Sequence, residues 1–129
     1  MADNQDRMLA ELMDQLTAYA KRIAIALSAL PVPMSLPQGR QGLFADFLPA
    51  VIRAYGIVDQ QPLPEYQQAT ARTALLFWIN AAEMIGAYRE FGAPHHADAA
   101  ILSMMTGEPL LAELIDFLVD PEGWEPVED

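Results

Sequence analysis

Apolar positions repeat along this chain with a helical period almost throughout, and the pattern is densest between Glu65 and Phe91. At about 100° per residue, Glu65, Arg72, Thr73, Asn80, Glu83 and Glu90 fall into one narrow polar stripe. The rest of the wheel carries Leu75, Phe77, Trp78, Ile79, Met84, Ile85 and Tyr88, with the small residues Ala81, Ala82 and Gly86. A helix that is apolar over most of its circumference is one that neighbours must wrap. Leu76 is the exception, an apolar residue set in the wet stripe beside Asn80.

Upstream, Leu9, Leu16, Ile23 and Leu30 recur every seven residues, with apolar residues between them. The spacing predicts a first helix over about 4–30, roughly 40 Å long, with Arg7, Glu11, Asp14, Lys21 and Arg22 on its opposite arc. Ile25 points into that charged arc. Such a seam serves either an internal bundle face or self-association, so a homodimer through the first helix is one expectation. Pro31, Pro33 and Pro37 end the helix and open a loop containing Gly39-Arg40-Gln41-Gly42, a weak phosphate-cradle pattern with no strand before it. Phe44, Phe47, Val51 and Tyr55 mark a short helix, with Asp46 as its expected N-cap and Gly56 as its left-handed close.

The long helix over 65–91 ends at Gly92 with Pro94 beyond it. Gly86, in its interior, suggests close approach of another helix. Two short helices are then expected. One runs over His95–Thr106 and is closed by Gly107; the other opens at Glu108-Pro109, carries Leu110, Leu111, Leu114, Ile115 and Leu118, and stops at Asp120-Pro121. Valine and threonine are scarce and alanine and leucine abundant, which disfavours strands. The prediction is an all-α fold: a single compact bundle of about five helices, two long and three short. The domain covers 1–119, and 120–129 form an acidic C-terminal tail.

Charge divides the chain unevenly. Hydrophobic residues make up 53% and charged residues 19%, with a net charge of −11. All seven bases lie at or before Arg89, beside eight acids; from Glu90 onward there are ten acids and no base. Direct nucleic-acid binding needs clustered Lys and Arg to replace phosphate counterions, so no direct nucleic-acid partner is expected. No uncharged run reaches the roughly 18 continuous apolar residues of a membrane span. Cysteine is absent, which excludes disulfides and thiolate metal sites and is compatible with a cytoplasmic protein.

Little in the sequence points to bond-making chemistry. His95, His96 and Asp98 are the only cluster of metal-ligand types, with His95 and Asp98 on one face, but a catalytic zinc needs a third protein ligand. Ser28, Ser35 and Ser103 lack a nucleophile context. No catalytic residue and no cofactor is therefore assigned. Met8, Met13, Met34, Met84, Met104 and Met105 fit core filling or an adaptable groove. The acids of the last third are the more informative set. Glu113, Asp116 and Asp120 project from one helix face, flanked by Glu108 before them and Glu122 and Glu125 after. Asp116 and Asp120 sit near the negative end of that helix, where local stability does not favour them.

The functional expectation is a non-enzymatic acidic adaptor or inhibitor that binds a basic surface of another protein through these six acids. A narrower version is a carboxylate array that imitates nucleic-acid phosphates and blocks a nucleic-acid-handling protein. From a different class come a small-molecule-binding bundle with a pocket near Trp78, and a metal-dependent enzyme using His95, His96 and Asp98.

Overall fold

The computed structural model describes residues 2–37 and 42–123. Four α-helices carry the fold: α1 (Ala2–Ser28), α2 (Leu48–Ile57), α3 (Glu65–Phe91) and α4 (Pro94–Val119). A π-type turn over Leu43–Phe47 leads into α2 and a 3-10 turn over Val58–Gln60 follows it. No strand occurs among the described residues. No helix among them is long and apolar enough to cross a membrane.

Helix α3 is the axis of the bundle. Trp78 is wholly buried; its indole N–H donates to the Leu16 carbonyl at 3.1 Å, and the Phe47 ring meets it edge-on at 5.3 Å. The Tyr19 hydroxyl donates to the Ala74 carbonyl at 2.5 Å, so α1 runs antiparallel to α3. On the other flank the Asn80 amide donates to Ser103 Oγ at 2.6 Å and Tyr66 reaches Glu113, so α4 is antiparallel to α3 and parallel to α1. Each large apolar side chain enclosed here contributes about 1.5–3 kcal/mol, and Leu12, Leu16, Ile23, Leu27, Leu75, Ile85, Leu111 and Leu114 are all enclosed.

The heptad seam of α1 is used inside the chain. Leu16, Ile23 and Leu30 are buried and Leu9 packs against the same core. A second copy could meet α1 only on its outward face, where Ile25 is 57% exposed. The two proline-rich linkers are tied together by Gln61, which is buried: its Oε1 accepts the Val32 N–H at 2.9 Å and its Nε2 donates to the Val32 carbonyl at 2.7 Å.

Four local expectations are corrected. First, the two short helices expected at the C-terminal end are one continuous helix, α4, with Gly107 and Pro109 inside it. Gly107 does not terminate it. A Cβ there would fall on Tyr19 Oη and lie 2.7 Å from Phe77 Cβ, so the glycine lets α1, α3 and α4 meet. Pro109 removes one ladder N–H, yet Leu111, Leu114 and Phe117 beyond it are buried and hold the helix on course. Second, Asp46 lies within the π-type turn and the N-cap position of α2 falls to Phe47; Leu48 starts α2 and Pro49 takes its second position, where no intrahelical N–H bond is needed. Third, Gly56 lies within α2, and positive φ among the described residues is confined to Gly42 and Gly92. Fourth, a Cβ on Gly86 would meet only the Phe44 ring, at 4.0 Å, so no close helix contact requires glycine there. Gly92 does what its position implies: at φ 70° it closes α3, and its N–H donates to the Tyr88 carbonyl at 2.7 Å. The Gly39-Arg40-Gln41-Gly42 pattern falls largely outside the described residues.

Candidate functional site

The six acids expected to form a partner surface divide by position on α4. Glu113, Asp116 and Asp120 fall within about 60° of arc at the C-terminal end of the helix. Asp116 and Asp120 are exposed and Glu113 is half-buried, accepting the Tyr66 hydroxyl at 2.8 Å. Asp120 follows the last helical residue, and its Oδ1 accepts the Gly123 N–H at 3.0 Å, which folds the exit of the helix back on itself. Glu122 is exposed in that turn. Glu125 lies outside the described residues.

Glu108 belongs elsewhere. It faces α1, where its Oε2 lies 3.4 Å from the Arg22 guanidinium, which is half-exposed, while Glu108 itself is about one third exposed. An exposed pair of this kind contributes about 0–1 kcal/mol. Glu108 also acts inward. Burial first, and then the nearby Glu108 carboxylate, disfavour the Tyr19 phenolate and push that hydroxyl well above its ordinary value of 10.0.

Among the described residues no basic side chain lies within ion-pair distance of Glu113, Asp116, Asp120 or Glu122. The last turn of α4 has no basic residue either. Acids there face the unsatisfied carbonyls of the helix end, an arrangement that costs about 0.3–1 kcal/mol for each at low salt. Glu113 and Asp120 each return one hydrogen bond to the fold, whereas no hydrogen bond or ion pair to the Asp116 or Glu122 side chain occurs among the described residues. Their chemistry is that of an exposed anionic surface able to take up Lys and Arg.

The histidine pair is placed differently from a ligand set. His95 and His96 sit in the first turn of α4 with ring centroids 4.1 Å apart, and His96 leans toward Phe91. No group of three His, Asp or Glu side chains able to hold a metal occurs among the described residues. Around Trp78 the interior is filled by Phe47, Leu16 and the neighbouring helices.

The cavities open outward instead. One, of about 500 Å³, is a groove between α1 and α4, lined by Arg22, Ile101, Met104, Met105, Pro109 and Ala112, with Glu108 beside them. Three smaller grooves of about 260–280 Å³ lie along the linkers. The α1–α4 groove is the feature that sequence reasoning passes over. Its wall is Met104-Met105 and Pro109, and the methionines carried a signal, but Gly107-Glu108-Pro109 reads locally as a break between helices. With the helix continuous, those residues line one wall.

No protein-family model matches this chain, and neither a curated protein nor a solved structure is detectably similar to it.

Proposed function

We propose that this protein is a non-enzymatic, acidic helical adaptor or inhibitor that works by binding a basic surface of another protein. The observation that carries the reading is the row of carboxylates at the end of α4. Glu113, Asp116, Asp120 and Glu122 lie together without a compensating base among the described residues, and Asp116 and Asp120 stand at a helix end that disfavours acids. A row of one sign with no base beside it is suited to a cationic surface outside the fold. Such a surface steers a cationic partner into encounter and gives the association a strong salt dependence. The working residues are Asp116, Asp120, Glu113 and Glu122, with Glu125 continuing the row in the sequence and Glu108 contributing from the α1 side.

A narrower form of the same reading is phosphate mimicry, in which the row occupies a groove that otherwise holds nucleic acid. It is favoured by the complete lack of bases after Arg89, which leaves the array a single sign. A partner released by double-stranded DNA in competition belongs to this form; one that ignores DNA belongs to the general form.

The test is a charge-neutral variant, Glu113→Gln with Asp116→Asn and Asp120→Asn, which keeps the shapes and the hydrogen bonds of Glu113 and Asp120. Used as bait in native cell lysate, the variant loses the partners that the unmodified protein captures at low salt. Equal capture by both proteins would return the acidic face to a solvation role.

A further inference from the structure

The groove between α1 and α4 has a composition that the acidic face does not. Its wall on α4 is Ile101, Met104, Met105, Pro109 and Ala112, and Met105 is 69% exposed although it is among the more apolar residues of the chain. Because α1 and α4 run parallel, their outer ridges can be followed together by helical spacing. On α1 the ridge is Arg7, Glu11, Gln15, Ala18, Arg22 and Ile25, all exposed. On α4, Asp98 precedes the apolar wall, Glu108 sits midway and Asp116 follows it.

Four acids and two bases, Arg7 and Arg22, therefore border an apolar trough, and acids keep the majority. Arg22, the base that lines the trough, is half-exposed and held by a contact of 3.4 Å to Glu108, so an incoming cation can compete for that carboxylate at little cost. Ala18 and Ala112 are small and exposed, so a third helix can approach closely between the two ridges. Methionine at the centre adapts its shape to whatever aliphatic side chains arrive.

We propose that this groove is a docking site for a basic amphipathic helix of a partner protein. Aliphatic residues at helical spacing seat against Met104, Met105 and Ala112, and flanking lysines or arginines meet Glu11, Asp98, Glu108 and Asp116. The sign of the partner rests on the reading given under Proposed function. The groove adds the partner's form, a helix, and its place of contact, which is α1–α4 rather than the end of α4 alone.

The test uses the full chain with carbon-13 methyl labels on its seven methionines. The probe is an amphipathic peptide of about 18 residues, five turns of helix, made only of leucine and lysine, with a leucine–glutamate peptide as its counterpart. The Met104 and Met105 methyl signals are expected to shift on addition of the leucine–lysine peptide, while those of Met8, Met13 and Met84 stay in place. Met105→Lys and, separately, Ala112→Lys are expected to weaken binding about tenfold or more. Ile52→Lys, an exposed apolar site on α2 given the same charge, is expected to change it less than about twofold.

Unmoved Met104 and Met105 signals, or equal affinity in Met105→Lys and the unmodified protein, would overturn the groove. If in that case the charge-neutral end-of-α4 variant alone abolished binding, the acidic-face reading would stand without the groove. If the leucine–glutamate peptide bound as well as the leucine–lysine one, the choice of a basic occupant would fail, and with it the charge argument that both readings share.

Discussion

Replacing Gly107 by alanine separates two opposed physical effects. On an exposed helix the substitution stabilises, because alanine exceeds glycine in helix preference by about 1 kcal/mol. Here the added Cβ has no room: it falls on Tyr19 Oη and lies 2.7 Å from Phe77 Cβ and 2.9 Å from the Tyr19 ring carbon that bears the hydroxyl. Tyr19 is buried and cannot yield without giving up its hydrogen bond to the Ala74 carbonyl. Overpacking costs about 1–3 kcal/mol. A buried hydroxyl stripped of its acceptor costs about 1–3 kcal/mol more. Less the gain in helix preference, Gly107→Ala loses about 1–5 kcal/mol, a fall in melting temperature of roughly 10 °C at the middle of that range. Urea unfolding followed by far-ultraviolet circular dichroism reads it. In a Tyr19→Phe background the nearest atom is gone, so the cost of Gly107→Ala drops by about 1 kcal/mol. A Gly107→Ala protein as stable as the unmodified one, or more so, would refute the three-helix close approach on which α4 depends.

Gly86→Ala tests the opposite case. The Cβ meets only the Phe44 ring at 4.0 Å, so the variant gains about 0.5–1 kcal/mol, and a loss in the same urea assay would show a hidden constraint. Gln67 is wholly buried on α3, and neither amide atom has a partner among the protein's own described groups. Gln67→Met therefore raises stability by about 1–3 kcal/mol, and a lower melting temperature would mean that the amide is satisfied. Tyr19 sets an alkaline limit. Its folded-state value lies above the ordinary 10.0, so its contribution is complete below pH 10 and is lost as pH rises from there toward the folded value. Urea midpoints at about pH 9 and about pH 11 measure the fall, and Tyr19→Phe reduces the difference between them.

The reading of α3 from its pattern was accurate because one long amphipathic stretch has few alternatives: Gly92 closes it, Trp78 is at its core and Leu76 is 46% exposed on its wet stripe. The all-helical class followed from the same periodicity. The C-terminal half was misread at Gly107-Glu108-Pro109 because local rules weigh glycine and proline as breakers. Tertiary packing overrode them: Gly107 is needed by Tyr19 and Phe77, residues 88 and 30 positions away, which no local window sees. Asp46 and Gly56 failed as caps for a related reason, since the π-type and 3-10 turns flanking α2 replace the expected ends. Of the acids, the one-sided placement of Glu113, Asp116 and Asp120 was legible from spacing alone. That Glu108 turns instead to Arg22 was not, because the pair joins residues 86 apart. The α1–α4 groove was hidden by the same misplaced break.

Under the proposed function, the carboxylates at the end of α4 draw a basic partner to this protein. The rate at which a captured partner associates, measured across a range of salt concentrations for the unmodified protein and for the Glu113→Gln, Asp116→Asn, Asp120→Asn variant, tests it most directly. The account predicts a rate that falls steeply with salt for the unmodified protein, and a slower, nearly salt-independent rate for the variant. Identical rates and identical salt dependence in the two proteins would contradict it.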